Sequence, residues 1–173
     1  MTVQKHKLII SEGFELSSTG ANFIVRYAPP ITLTIGSGSR AVHAVRLVKS
    51  VLKRLPGCVV QIANNAFTAH ISDITKSEIL DAIERANQRL DEFSEEKLTA
   101  KTVEKILNVT TLERRRWTKD GRLPHSGTAF FQAGRTQVQV ATYSRETVLF
   151  FASRPDLIRT WREADKREPA QRK

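Results

Sequence analysis

Arg114, Arg115 and Arg116 stand in a row, with Thr110 and Thr111 just before them and Lys119 and Arg122 just after. These side chains bind anions rather than make or break bonds. A guanidinium can donate two hydrogen bonds at once to the acceptors on the guanine edge, and a threonine hydroxyl or a helix-start N–H suits a phosphate oxygen. A second basic point, Arg135 with Thr136, lies between two alternating stretches. The candidate DNA-binding set is therefore Thr110, Thr111, Arg114, Arg115, Arg116, Lys119, Arg122, Arg135 and Thr136. A run of arginines taken alone is more often a solvated helix face, so the case depends on the elements around it.

No other group of residues composes a reactive centre. His6, His43, His70 and His125 lack the mutual spacing of a metal site. Cys58 and His70 offer a nucleophile and a base only if their strands are neighbours, and no third residue is placed to orient the histidine. The expected role of Cys58 is that of a small core hydrophobe. Gly36-x-Gly38 lacks the Walker lysine and the third glycine of a dinucleotide fingerprint, so turn-and-cap chemistry is expected there. No pair of carboxylates sits in an acid–base frame. No catalytic residue, metal or cofactor is expected, and the chain is not expected to be an enzyme.

The elements that must position the basic set follow from periodicity and capping. Thr99 opens a helix to Leu107 whose apolar side is Ala100, Val103, Ile106 and Leu107. Asn108-Val109 makes a turn. Thr110 or Thr111 caps a second helix to about Lys119, which Asp120-Gly121 stops. Trp117 is expected in the core with Leu123 and the first helix. Ala129–Gln132 and Gln137–Thr142 alternate as strands, joined through Ala133-Gly134-Arg135-Thr136. Phe130 and Phe131 would face opposite sides, one of them in the core. Ser144 caps a helix from Arg145, and 156–168 is helical, followed by a basic tail at Pro169–Lys173.

The first half is of a different kind. Phe23–Tyr27 and Ile31–Ile35 are expected as the two strands before the first helix, with Lys7–Ile10 a further short-strand candidate, a Ser- and Gly-rich loop over Glu12–Ala21 and a turn at Pro29-Pro30. Ser39 would cap an amphipathic helix, Ala41–Leu55, ended by Pro56-Gly57. Val59–Ile62 and Phe67–Ile71 form a hairpin about Asn64-Asn65, and a long helix, Ile74–Phe93, is capped by Thr75 or Ser77. The expected fold class is α+β: an N-terminal β-β-α-β-β-α two-layer sandwich, with two helices on one face of a sheet, followed by the basic module. The charged stretch Glu92–Lys97 marks the boundary, giving units 1–95 and 96–173.

Charge separates the same two units. The chain of 173 residues carries +10, but Met1–Glu95 has 11 Lys and Arg against 9 Asp and Glu, while Glu96–Lys173 has 17 against 9. A net +8 confined to the second half points to a polyanionic partner. Aromatics make up only 7% and are not spaced as a stacking platform, which disfavours single-stranded RNA. No apolar run is long enough for a bilayer, and the N-terminus lacks a signal-like apolar stretch. With a single cysteine, a reducing, cytoplasmic setting is expected.

Residues 98–149 resemble the winged helix of MerR- and excisionase-type proteins. The likeness is carried by Leu98-Thr-Ala-Lys-Thr-Val-Glu-Lys-Ile-Leu-Asn-Val109, Thr-Thr-Leu-Glu-Arg-Arg-Arg-Trp117, the exit Thr-Lys-Asp-Gly-Arg-Leu-Pro124 and the later Tyr143-Ser-Arg-Glu-Thr-Val148. Two positions depart from that pattern. Asn108 replaces the glycine of the turn, and Arg114 stands where an aliphatic residue packs under the recognition helix. The resemblance implies a C-terminal winged helix that reads double-stranded DNA, with Arg135 and Thr136 on the wing. The function it implies is a sequence-specific transcriptional regulator of bacterial or mobile-element type, a homodimer assembled through the N-terminal domain. The alternatives are an architectural accessory factor of excisionase or partition type, and a non-catalytic subunit of a nucleoprotein complex.

Overall fold

The structure, a computed structural model, describes residues 6–19 and 21–167. The fold is mixed α and β with antiparallel sheets, and the chain divides into two compact units, Met1–Glu95 and Glu96–Lys173. The expected basic tail at Pro169–Lys173 lies outside the described residues.

In the first unit β1 (His6–Ser11), β2 (Phe14–Thr19) and β3 (Asn22–Tyr27) precede α1 (Ile31–Thr34) and α2 (Gly38–Leu52). Then come β4 (Val59–Ala63), β5 (Ala66–Ile71) and α3 (Lys76–Glu95). The strands form one antiparallel sheet in the order β1-β2-β3-β5-β4. Alternation gives it an inner face: Leu16 pairs with Val25, Val25 with Ala69 and Tyr27 with Phe67. These residues share a core with Val45, Val48 and Leu52 of α2 and with Ile79, Ile83, Ala86 and Phe93 of α3.

Three local expectations are corrected. The Ser-rich stretch expected as a loop contains β2, because Phe14 and Leu16 alternate into the core while Glu15 and Ser17 fall on the other face. Gly13 makes the turn into it at φ +86°, where a Cβ would meet the Ala28 carbonyl oxygen at 2.6 Å. Ile31–Ile35, expected as a strand, is the short helix α1. The Pro30 carbonyl accepts from both the Leu33 and Thr34 N–H groups, and Ile35, left-handed at φ 52°, ends the turn. The element order is therefore β-β-β-α-α-β-β-α rather than β-β-α-β-β-α. The cap of α2 is Ser37, not Ser39, and its hydroxyl accepts the Arg40 N–H. Thr75 caps α3 through a reciprocal pair of bonds with Glu78.

The second unit runs β6 (Leu98–Thr99), α4 (Ala100–Leu107), α5 (Thr111–Lys119), β7 (Gly127–Ala133), β8 (Thr136–Tyr143), α6 (Arg145–Ala152) and α7 (Pro155–Arg167). Its sheet is antiparallel in the order β6-β8-β7. Thr99, Thr110 and Ser144 cap α4, α5 and α6, each accepting the N–H three residues on. Val103, Leu107, Trp117, Leu123, Tyr143, Val148 and Ile158 are all buried.

Among the described residues no helix is long and apolar enough to cross a membrane.

Candidate nucleic-acid interface

The turn between α4 and α5 sets the approach of the basic helix. Asn108 ends α4 in the left-handed conformation at φ 51°, which asparagine tolerates better than most residues, and its N–H returns to the Glu104 carbonyl. Two residues later Thr110 begins α5 with a full capping box. Its hydroxyl accepts the Glu113 N–H at 3.2 Å, and its own N–H donates to Glu113 Oε2 at 2.7 Å. The helix thus starts at a fixed residue, which fixes the direction of every side chain after it.

Arg114 is corrected. It does not face solvent: it is 6% exposed, with Nε donating to Glu104 Oε1 at 2.7 Å and Nη1 to the Tyr143 hydroxyl at 3.1 Å. It fills the inward position at which the resemblance calls for an aliphatic residue. Burial works against its charge, but the bonds to Glu104 and Tyr143 prevail and hold its pKa above the ordinary value. Its role is to join α5 to α4 and β8, and it leaves the candidate interface.

A second tie comes from α7. Arg162 donates to Glu113 Oε1 at 2.7 Å and to the Asn108 carbonyl at 2.7 Å, so it holds the turn and the capping box together. That bond, against some burial, keeps the Glu113 carboxyl below its ordinary value. Asp165 accepts from Trp117 Nε1 at 2.9 Å, from Arg116 at 3.1 Å and from Arg122 at 2.8 Å. Burial opposes ionisation of Asp165, but the bonds from Arg122, Trp117 and Arg116 outweigh it and its carboxyl is held low. Trp117 is fully buried, edge-on to Trp161 with centroids 5.0 Å apart.

Arg122 is partly exposed. It is ion-paired to both Asp120 and Asp165, so its charge is already met within the unit. Arg116 is half exposed and shares Asp165.

Beside it runs an outward stripe of α5. Thr111, Arg115 and Lys119 recur at i, i+4 and i+8 and are exposed, with Leu112, 77% exposed, beside them. Arg115 and Lys119 have no hydrogen-bond or ion-pair partner among the described residues. The side chain of Thr110 is also exposed, although its hydroxyl serves the cap.

The hairpin β7–β8 turns through Gly134 and Arg135, with Ala133 paired to Thr136 and Gly134 at φ 63°. Its far end stands clear of the unit: Gln132 and every residue from Gly134 to Gln139 are exposed, on both faces of the ladder. Arg135 and Thr136 lie at the tip. Of the neighbouring Phe130 and Phe131, Phe130 is 62% exposed.

The structure thus brings Thr111, Arg115 and Lys119 together, sets Arg135 and Thr136 on a projecting tip, and turns Arg114 and Arg122 to internal work. Glu104, Tyr143, Arg162 and Asp165, which hold α5, escaped the sequence reading. Only the Thr110-x-x-Glu113 box carried a local signal.

Elsewhere, Cys58 precedes the β4 residue that pairs with His70, but no hydrogen bond joins the two among the described residues, and burial pushes the thiol upward. That disfavours the thiolate a nucleophile would need. No group of three or more metal-ligating side chains is present among the described residues. Comparisons with protein-family models, with curated proteins and with solved structures find no match for this chain.

Proposed function

We propose that this chain is a sequence-specific double-stranded DNA-binding protein, a dimeric transcriptional regulator of bacterial or mobile-element type. On this reading 96–167 is a winged helix with α5 as its recognition helix and β7–β8 as its wing. The N-terminal unit is a two-layer sandwich that assembles the dimer. The observation that carries the reading is the division of labour on α5. Its inner side is neutralised by Glu104 and Asp165, while Thr111, Arg115 and Lys119 are exposed, the two cations with no partner among the described residues. Cations left unpaired on a rigidly held helix, next to a hairpin extended into solvent, suit a polyanion with a groove. Nine residues of helix span about 13 Å, comparable to the roughly 12 Å width of the major groove.

The test is selection of bound fragments from a random duplex library at about physiological salt. Two half-sites about one helical turn apart are expected for a dimer. Recovery of no motif would remove sequence reading from the proposal.

Phe130 favours a second reading, that of an architectural DNA-bending factor. An exposed apolar ring on a projecting hairpin is the kind of wedge that unstacks a base step and kinks the duplex. End-to-end distance in a doubly labelled duplex decides between the two. A bend lost in Phe130→Ala supports the architectural role, and an unbent duplex with the intact protein excludes it.

A further inference from the structure

Not all the unpaired positive charge of this chain lies in its basic half. No aspartate or glutamate occurs between Glu15 and Asp73, while α2 and the turn after it carry Arg46, Lys49, Lys53 and Arg54. Arg46, Lys49 and Lys53 recur at i, i+3 and i+7, so they share one helix face, and Arg54 follows at its end. With Ser50 they line a groove of about 320 Å³ on the helical side of the N-terminal unit. Arg89 of α3 joins them from the side, its Nη1 donating to the Ser50 hydroxyl at 3.0 Å. None of these five cations meets a carboxylate among the described residues. The α2 dipole accounts for cations in its last turn, such as Lys49 and Lys53. It does not account for Arg46, a turn earlier, or for Arg89 on another helix.

We infer that this groove is a second contact with the backbone of double-stranded DNA, an inference that rests on the reading of the chain as a duplex-binding protein. The shape of the site selects the ligand. The lining is mainly apolar, as the stems of long cationic side chains are, and Arg46, Lys49 and Lys53 are strung along two turns of one helix face with Arg54 at its end, an extended array rather than the convergent set a small anion would require. From Arg46 to Arg54 the array covers roughly 12 Å, over which one strand of duplex presents about three phosphates. Such a contact adds affinity on every sequence and makes binding more salt-dependent, leaving base discrimination to α5.

The experiment is a salt titration of full-length protein on a mixed-sequence duplex of about 30 base pairs. It compares the unchanged chain with Arg46→Gln/Lys53→Gln/Arg54→Gln and, separately, with Arg115→Gln/Lys119→Gln. Solution mass and circular dichroism are followed alongside. With three phosphate contacts removed, the α2 variant is expected to lower the slope of log affinity against log salt by about 2 to 3. Arg46→Lys/Arg54→Lys, which keeps the charge, should retain the slope and so separates lost contacts from lost folding. An α2 variant with unaltered slope overturns the inference while leaving the α5 reading in place. A lowered slope in the α2 variant beside an unaffected α5 variant overturns the α5 reading and keeps the inference. No duplex binding by the unchanged chain overturns both. A variant that changes in mass but not in slope would assign the groove to a second copy of the chain and overturn the inference.

Discussion

At the scale of single residues, Arg114 and Arg115 are neighbours of the same type with opposite fates. Arg114→Ala strips Glu104 and the Tyr143 hydroxyl of a partly buried partner, and a loss of about 2–4 kcal/mol of stability is expected. Chemical denaturation reads that loss directly, and a change under about 0.5 kcal/mol would contradict the burial argument. Arg115→Ala removes an exposed side chain with no partner among the described residues, so stability should hold within about 0.5 kcal/mol. Duplex affinity should instead fall by about 1–3 kcal/mol on the selected site if Arg115 meets a guanine, and evenly on all sequences if it meets phosphate. The type and spacing of these arginines were legible in the sequence. Their directions were not, because Glu104 and Tyr143 lie 10 and 29 residues away.

At the scale of elements, α5 is held by its cap and by α7, and a carboxylate takes part in each: Glu113 in the capping box and under Arg162, and Asp165 under Arg116. Thr110→Ala removes the capping bond and should cost about 1 kcal/mol, visible as a lower unfolding midpoint of the second unit. Acid should act on the same ties. The carboxyls of Glu113 and Asp165 are held below their ordinary values of 4.5 and 3.8, so their contribution is complete above those values and is lost as pH falls through the lowered ones. The midpoint of the second unit should therefore be level near neutrality and drop below about pH 4, and less steeply in Glu113→Gln. A midpoint that rises on acidification would refute the assignment. Most helices were legible because an apolar stripe every three to four residues and a capping side chain are local properties, as in α2, α3 and α4. Strand β2 was not, since its outward serines have the composition of a loop. Helix α1 was not, since a single turn is too short to show a period distinct from alternation.

At the scale of the whole molecule, each unit carries its own buried core, and both tryptophans, Trp117 and Trp161, belong to the second. This permits a direct test of separate folding. Ile83→Ala, in the first core, should cost about 2–4 kcal/mol and shift the unfolding seen by circular dichroism, while the tryptophan fluorescence transition stays in place. A shift of both signals together would show that the two units unfold as one.

The chain alone determined what depends on near neighbours and on sums: the class of fold, most helices with several of their caps, the hairpins about Asn64-Asn65 and Gly134-Arg135, and the concentration of charge in residues 96–173. Tertiary structure alone decided which cations are spent inside the protein and which face outward. It turned Arg114 to Glu104, gave Arg116 and Arg122 to Asp165, and left Arg115, Lys119 and the cations of the α2 groove without a carboxylate partner among the described residues. The physical reason is that a charge becomes available for a ligand only when no carboxylate lies within a few ångströms, and that distance is set by packing between elements remote in sequence.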